Sequence, residues 1–253
     1  MMDWHKNNKV LIVGSAPDAL QVKAWDFSVF DTVVVINNAW QLIDAWHYHI
    51  HPEDFPIQRR PLTLSSQQKI ITYQEYVPAQ NQFGGFVYAG GTMAFTAAYW
   101  ALATLKPQLM AFVGCDMIYP KNTSTHFYGA GTADPLRDDI TLQSLEAKAT
   151  RLQLLAAEQG CCCVNLSQSD ESRLVFPRIH LNELKLFNNK QYQSQLNQLQ
   201  KNIDIMQLKQ VKEKEKSLSY FIESGEYWKS LEQFDAAELK SLDASWLRCI
   251  VNH

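Results

Sequence analysis

The sequence lacks a long hydrophobic run and a strong net charge, and we expect no secretion signal. No apolar stretch approaches the ~20 residues that a helix needs to cross a bilayer, so we expect no transmembrane helix. The formal net charge is only −3 over 253 residues. This gives no general attraction to nucleic acid, and we expect no nucleic-acid partner. Residues Met1–Lys6 carry no apolar signal-peptide core.

Cysteine is too scarce and too closely spaced for a disulfide framework. The chain has five cysteines, and three of them are consecutive: Cys161, Cys162 and Cys163. Such a set is typical of a reducing compartment, and we take a cytoplasmic location as the expectation. The triplet itself fits a buried strand, in which cysteine packs as a small hydrophobic residue.

Short apolar runs alternate with helical stretches along the first two-thirds of the chain. The composition, 46% hydrophobic and 19% charged, argues against disorder. Two stretches have the spacing of helices: Thr92–Leu105, apolar nearly all round, and the region from about Leu142 to Gln159. Six runs predict strands: Lys9–Val13, Thr32–Ile36, Trp46–Ile50, Lys69–Tyr73, Leu109–Val113 and Cys161–Leu166. The alternation predicts an α/β, Rossmann-like fold, with a mostly parallel sheet flanked by helices.

The composition changes after about residue Asn182. Residues 185–216 contain seven lysines and three acidic residues. Apolar residues recur there at helical spacing: Leu196, Leu199, Ile203 and Met206. We therefore predict a Rossmann-like nucleotide-binding domain over residues 1–184 and a helical C-terminal appendage over residues 185–253, outside the nucleotide site. The basic stretch is read first as a solvated helix face. Peripheral membrane contact through these helices is the alternative, and a homo-oligomer is left open.

Candidate ligand residues follow the first two predicted strands, because a parallel sheet binds its ligand beyond the carboxyl ends of its strands. Gly14 and Ser15 follow the first strand, where glycine permits a tight turn and the next helix N-terminus favours anions. The turn matches neither G-x-G-x-x-G nor a P-loop, so an ordinary strand–helix turn is equally compatible. Asn37 closes the second strand and is a candidate for reading a base or ribose edge. Asn38 is better placed as the N-cap of a helix over Ala39–Ala45.

The segment Gly90-Gly91-Thr92 opens the apolar helix. Two glycines allow close approach of a ligand to the backbone, and free N–H groups at a helix start can bind a phosphate or a carboxylate. The alternative is close packing of the helix start against the sheet.

The densest set of polar residues follows the Leu109–Val113 strand. Asp116 and Tyr119 come first, and His126 and Tyr128 follow in a glycine-rich stretch that continues to Arg137. A loop of this length is uncommon in a compact domain and is often functional. His126 is a candidate general base near neutral pH; the alternative is a structural role within the loop.

Three histidines alternate along one predicted strand: His47, His49 and His51. Their side chains share one face, but no cysteine or carboxylate stands at a diagnostic spacing. We therefore expect no metal site.

These polar segments, taken in order, carry a resemblance. In this chain they are Val10–Leu20 (VLIVGSAPDAL), Asn37, Ala89–Thr92 (AGGT), Val113–Tyr119 (VGCDMIY), His126–Gly129 (HFYG) and Val164–Pro177 (VNLSQSDESRLVFP). Over about residues 9–180 the chain resembles the bacterial sialyltransferases of glycosyltransferase family 42. That family has a G-N-G-P-S-L turn, an asparagine after its second strand, T-S-G at its central helix, S-G-x-D-F-Y and a later H-Y-x-G.

The resemblance implies an inverting, metal-independent transfer from a CMP-sugar donor, with no further cofactor, to a glycan acceptor. It makes His126 the general base and Tyr119, with Tyr128 as a weaker match, a donor to the leaving phosphate. The nucleotide would be bound by Gly14, Ser15, Asn37, Gly90, Gly91, Thr92 and Asp116. Ser15 stands where the family has asparagine. Only six residues separate Tyr119 from His126, where the family has a long lid.

Two alternatives remain at this stage. Archaeal-type hydroxymethylpterin pyrophosphokinase-like proteins share the G-x-G-P-S turn, the glycine-rich helix start and a G-x-D segment followed by a histidine, which implies ATP as a substrate. The other alternative is a non-catalytic nucleotide-binding protein of the same fold.

Overall fold

The computed structural model describes residues 8–119, 124–129 and 138–251. The signal-peptide expectation for Met1–Lys6 and the candidate stretch from residue 130 to Arg137 lie outside these ranges. The described residues form one six-stranded parallel sheet, with the order β4-β3-β2-β1-β5-β6. Its strands are β1 Lys9–Val13, β2 Thr32–Ile36, β3 Tyr48–Ile50, β4 Lys69–Ile71, β5 Leu109–Val113 and β6 Cys162–Asn165. The Rossmann-like α/β prediction is confirmed.

The central strands are apolar on both faces because helices cover both faces of the sheet. In β1, Val10 and Ile12 belong to one core, whereas Leu11 and Val13 belong to the other. The first core is covered by α1 Tyr73–Asn81, α3 Met93–Thr104 and α4 Leu145–Glu158. The second is covered by the 3₁₀ helices Pro17–Ala24 and Asn37–Leu42 together with α5 Leu181–Lys185 and α6 Asn189–Lys201. A parallel sheet requires this double cover.

The sequence-based bounds of several elements change in the structure. The predicted helix over Thr92–Leu105 is α3, with Thr92 as its N-cap and Leu105 as its C-cap. The predicted strand Lys69–Tyr73 ends at Ile71, because Tyr73 begins α1 and the Glu75 carboxylate accepts the Thr72 backbone N–H at 2.9 Å. This is a helix-starting arrangement.

The C-terminal segment packs closely on the rest of the chain. Besides α6, it holds α7 Ile205–Leu218 and α8 Ala236–Leu247; a short helix α2, Phe86–Ala89, precedes α3. A third apolar core joins residues of α2 and α4 to residues of α7 and α8. The predicted helical stripe does not continue through Met206, which is 70% exposed, because α6 ends at Lys201 and a separate helix, α7, begins at Ile205. The division at residues 184 and 185 stays a prediction, and α5 spans it.

Buried charge also joins this segment to α4. The Lys148 ammonium lies 2.8 Å from the Asp243 carboxylate of α8, and both side chains are buried. The Arg151 guanidinium pairs with Glu215 of α7 and donates to the Tyr99 hydroxyl at 2.8 Å. Charges taken out of water need such partners, so these pairs specify how α7 and α8 sit on α4.

All five cysteines are buried and free. Cys162 and Cys163 of the triplet lie in the buried strand β6, as predicted. Among the described residues, no helix has both the length and the apolar character needed to cross a membrane. Membrane contact, self-association and the cytoplasmic location stay predictions.

Candidate functional site

A cavity of about 1220 Å³ lies beyond the carboxyl ends of β1 to β5. Its lining includes the turns after these strands, the start of α3, and residues 224–228 of the C-terminal segment. The strands β2, β3 and β4 lie on one side of β1, and β5 and β6 lie on its other side. The strand order therefore reverses between β1 and β5. Open α/β sheets bind ligands at such a reversal. The cavity is therefore the candidate functional site.

The turns after β1 and β5 pack directly against each other where they line the cavity. The Gly14 N–H donates to the Val113 carbonyl at 2.8 Å, and a Cβ on Gly14 would overlap the Gly114 carbonyl oxygen. Gly14 is thus required for close packing of the two turns. The Ser15 hydroxyl donates to the Ile36 carbonyl at 3.3 Å and joins the turn to the end of β2.

Asn37 lines the cavity in a left-handed backbone conformation, with a φ of 51°. Its carbonyl accepts from His49 Nε2 at 2.7 Å. Its side-chain Oδ1 is buried and has no hydrogen-bond partner among the described residues. A buried acceptor without a partner carries a cost, and a ligand donor would remove it. Asn38 is not an N-cap: the 3₁₀ helix begins at Asn37 and has no side-chain cap.

The start of α3 is only partly open to a ligand. Gly90, with a φ of 93°, packs against the Phe95 ring and does not line the cavity. The Gly91 N–H already donates to Thr141 Oγ1 at 3.0 Å, and Thr92 Oγ1 accepts from the Phe95 N–H at 3.3 Å.

The next two residues of α3 offer donors instead. Met93 and Ala94 line the cavity, and their N–H groups have no acceptor among the described residues. They lie at the N-terminus of a 12-residue helix, where the helix dipole favours an anion. A phosphate would therefore be bound by Met93 and Ala94 rather than by Gly91.

Asp116 does not line the cavity. Its carboxylate accepts from Asn165 Nδ2 at 3.2 Å and from the Ser167 hydroxyl at 2.7 Å, and its side chain is buried. Asp116 thus braces the end of β5 against the chain that follows β6, and the structure gives it no contact with a ligand in this cavity.

His126 sits in a short loop that is tied to the turn after β1. The Phe127 N–H donates to the Ser15 carbonyl at 3.0 Å, and the His126 backbone exchanges hydrogen bonds with Gly129. The His126 ring stacks on Tyr128 at 4.9 Å and lies 6.3 Å from the Tyr119 ring. Tyr119 and His126 line the cavity, whereas Tyr128 does not.

The protonation states suit a base and a donor. Burial lowers the pKa of the half-buried His126 from its ordinary value near 6.5, so the imidazole is neutral at pH 7. Burial raises the pKa of Tyr119, so its hydroxyl keeps its proton. His126 Nδ1 lies 2.8 Å from Thr125 Oγ1. If Nδ1 carries the proton and donates to this hydroxyl, Nε2 is free to accept one.

The described residues that line the cavity carry negative charge. Among the described residues that line it, Glu53, Asp54 and Glu226 are acidic and none is lysine or arginine. The described part of the chain also holds no group of three or more histidine, cysteine, aspartate or glutamate side chains placed to bind a metal ion.

Sequence reasoning missed two contributors to the site. His49 belongs to the alternating histidines, and the structure places it as the partner that holds the Asn37 carbonyl. Residues 224–228 line the cavity, which differs from the expectation that the C-terminal segment stays outside the site. The sequence did hold a signal for His49, because it lies near the end of the predicted strand that follows Asn37. Nothing local in the sequence indicates where residues 224–228 pack.

His49 should make stability depend on pH. Burial lowers its pKa to about 4, and the His51 ring, 5.0 Å away, adds repulsion. The unfolded chain therefore binds more protons between pH ~4 and ~6.5, and stability is lost as the pH falls through this window. The loss should approach about 3 kcal/mol. His49→Gln should flatten the dependence of the free energy of unfolding on pH, measured by urea titration.

The matched control is His180→Gln, because the His180 ring is exposed. It should keep the slope of the native protein. An unchanged slope in His49→Gln would show that His49 does not bind a proton on unfolding.

Comparison of the chain with protein-family models, with curated proteins and with solved structures finds no match.

Proposed function

We propose that this protein is an inverting, metal-independent glycosyltransferase that uses a CMP-sugar donor, in the manner of the sialyltransferases it resembles. One observation carries the proposal. A single cavity gathers a neutral histidine, a protonated tyrosine, an unpartnered asparagine oxygen and the open N-terminus of a helix. These are the groups that a nucleotide-sugar and a base-catalysed transfer require.

The donor lies along the turns after β1 and β2. Asn37 Oδ1 accepts from the base or the ribose, beside Gly14 and Ser15. The phosphate rests on the N–H groups of Met93 and Ala94. No lysine or arginine is needed for one phosphodiester charge, because backbone N–H groups and the helix dipole both favour an anion.

The transfer uses His126 and Tyr119. His126 Nε2 takes the proton of the acceptor hydroxyl, whose oxygen forms a bond to the anomeric carbon. The bond between that carbon and the phosphate oxygen breaks, and CMP leaves. The Tyr119 hydroxyl donates to the phosphate as its charge develops.

ATP-dependent pyrophosphoryl transfer is the second candidate, and one observation favours it. Glu53 and Asp54 line the cavity and have no ion-pair partner in the described part of the chain, so they could meet a magnesium ion carried by ATP. The described lining has no cation of its own for a triphosphate, so this candidate requires the metal. A protein that binds a nucleotide without catalysis is the third candidate.

A thermal-shift series separates the candidates. CMP or CDP without metal should raise the melting temperature, whereas UDP and AMP should do so less. At a concentration 100 times Kd, binding stabilises by about 2.7 kcal/mol, which corresponds to roughly 5–10 °C for a chain of this size. A response to ATP that requires magnesium, with none to CMP, would overturn the transferase in favour of the kinase.

Asn37→Gly tests the site within the same series. Glycine keeps the left-handed backbone without strain and removes the Oδ1 acceptor, so CMP affinity should fall about tenfold. Lys106→Gly is the matched control, because Lys106 has a similar φ of 47° and lies outside the cavity. Equal CMP affinity in the two variants would remove Asn37 from the site.

A further inference from the structure

We propose that the outer cavity, by which we mean the part lined by the exposed residues Tyr73, Trp228, Glu53 and Asp54, is a subsite for the acceptor. The aromatic rings of Trp228 and Tyr73 form it, and it takes a sugar ring that is uncharged or carries an amino group. The proposal rests on the proposed function, which places the donor along the turns after β1 and β2 and at the start of α3. It assigns a role to a C-terminal segment that shares no residue with the donor site.

The segment Ser224–Trp228 is held in a fixed conformation against the cavity. Gly225 has a φ of 79°, and a Cβ there would meet the Phe86 ring at 3.1 Å and Val77 at 3.2 Å. The Tyr227 ring stacks on Phe86, with their centroids 6.4 Å apart. Because Gly225 and Tyr227 both pack closely on Phe86, Trp228 follows a rigid support.

Hydrogen bonds connect this segment to the start of α3. The Tyr227 hydroxyl donates to Asp139 Oδ2 at 2.6 Å, and Asp139 Oδ1 accepts from Thr141 Oγ1 at 2.7 Å. Thr141 Oγ1 in turn accepts from the Gly91 N–H. The proposed acceptor wall and the proposed phosphate position are therefore fixed relative to each other, which transfer between two bound substrates requires.

The two aromatic rings are open to solvent although they line the cavity. Trp228 is 58% exposed and Tyr73 is 44% exposed. One face of a sugar ring carries C–H groups with partial positive charge, which are attracted to the negative face of an aromatic ring. Ligand cavities characteristically combine such aromatic walls with a few polar groups.

Acidic side chains that line the same cavity decide which sugars fit. Glu53 and Asp54 are exposed, lack an ion-pair partner among the described residues, and add to the effect of burial in raising the pKa of Tyr76 to about 12. Glu226 is paired with Lys229 at 2.6 Å. The outer cavity thus keeps two unpaired negative charges, which repel an acidic sugar and tolerate a neutral or amino sugar.

The test uses three ring-matched probes on the full chain with CMP present: methyl glucoside, glucosamine and glucuronic acid. Saturation-transfer NMR at millimolar sugar should detect the first two and not the third. Trp228→Ala should weaken binding of methyl glucoside about tenfold, because it removes the ring face that attracts the C–H groups of the sugar. Leu231→Ala is the control, because Leu231 is exposed nearby and does not line the cavity.

A charge variant tests the second half of the proposal. Glu53→Gln with Asp54→Asn should bring glucuronic acid to within a few-fold of the methyl glucoside affinity, whereas the exposed Glu232→Gln should leave it excluded. If wild type binds none of the sugars, or Trp228→Ala binds them as wild type does, the subsite is wrong. CMP affinity, measured in the same samples, tests the proposed function independently of sugar binding. Sugar binding that depends on Trp228 without CMP binding would keep the subsite and overturn the transferase.

Discussion

Replacing His126 by alanine should lower turnover by about 10²–10⁴-fold, the usual contribution of a general base, while CMP affinity changes little. In the proposed transfer the imidazole acts on the acceptor hydroxyl, whereas the proposed nucleotide contacts come from Asn37, Met93 and Ala94. Steady-state kinetics with the CMP-sugar as donor measures the first quantity and calorimetry with CMP the second. His180→Ala, at an exposed histidine outside the cavity, should behave as wild type.

The pH profile gives this prediction a second readout. Activity should fall as the pH drops through the pKa of His126, and because burial lowers that pKa, the acid limb should lie below pH ~6.5. In His126→Ala this limb should disappear. If His126 only braces its loop against Ser15, the variant should instead lose melting temperature, CMP affinity and turnover together. That pattern, or full activity, would remove His126 from catalysis.

Asp243→Leu should destabilise the protein by about 3–5 kcal/mol, because it leaves the Lys148 ammonium buried without its carboxylate. Lys148 and Asp243 are almost completely buried and their charged atoms lie 2.8 Å apart. For a chain of this length the change corresponds to a melting temperature lower by roughly 10 °C. Differential scanning calorimetry of the full chain provides the measurement.

A double variant separates the buried charge from simple loss of packing. Lys148→Met with Asp243→Leu removes both charges and should recover most of the stability, since apolar replacements of a buried pair are often neutral. The exposed pair Lys212–Glu158 supplies a control: Glu158→Ala should cost at most about 1 kcal/mol. A small effect of Asp243→Leu alone would mean that α8 does not depend on this pair.

The sheet could be predicted from the sequence because its central strands must be apolar on both faces. β1, β2 and β5 have the predicted bounds for that reason. The helix α1 could not be predicted as easily, because Pro78 lies inside it and proline ordinarily interrupts a helix. The packing of α7 and α8 depends on pairs such as Arg151–Glu215, which are 64 residues apart and leave no local pattern.

The site was predictable where it depends on strand ends. Ser15, Asn37, Tyr119 and His126 all line the cavity, because parallel strands carry their carboxyl ends to one edge. Side-chain direction was less accessible: Asp116 follows β5 just as Tyr119 does, yet it turns toward Asn165 and Ser167. Whether a helix-start N–H is free depends on a residue such as Thr141, 50 positions away from Gly91.

The position of β1 in the middle of the sheet also constrains how the chain is made. β1 pairs on one side with β2, which follows it closely, and on the other with β5, so that Lys9 faces Leu109, 100 residues later. At a translation rate of about 5–20 residues per second, roughly 5–20 seconds pass before the second partner leaves the ribosome. During that time the edge of β1 that will pair with β5 stays unpaired on the growing chain. An unpaired apolar edge of this kind can pair with a strand of another molecule.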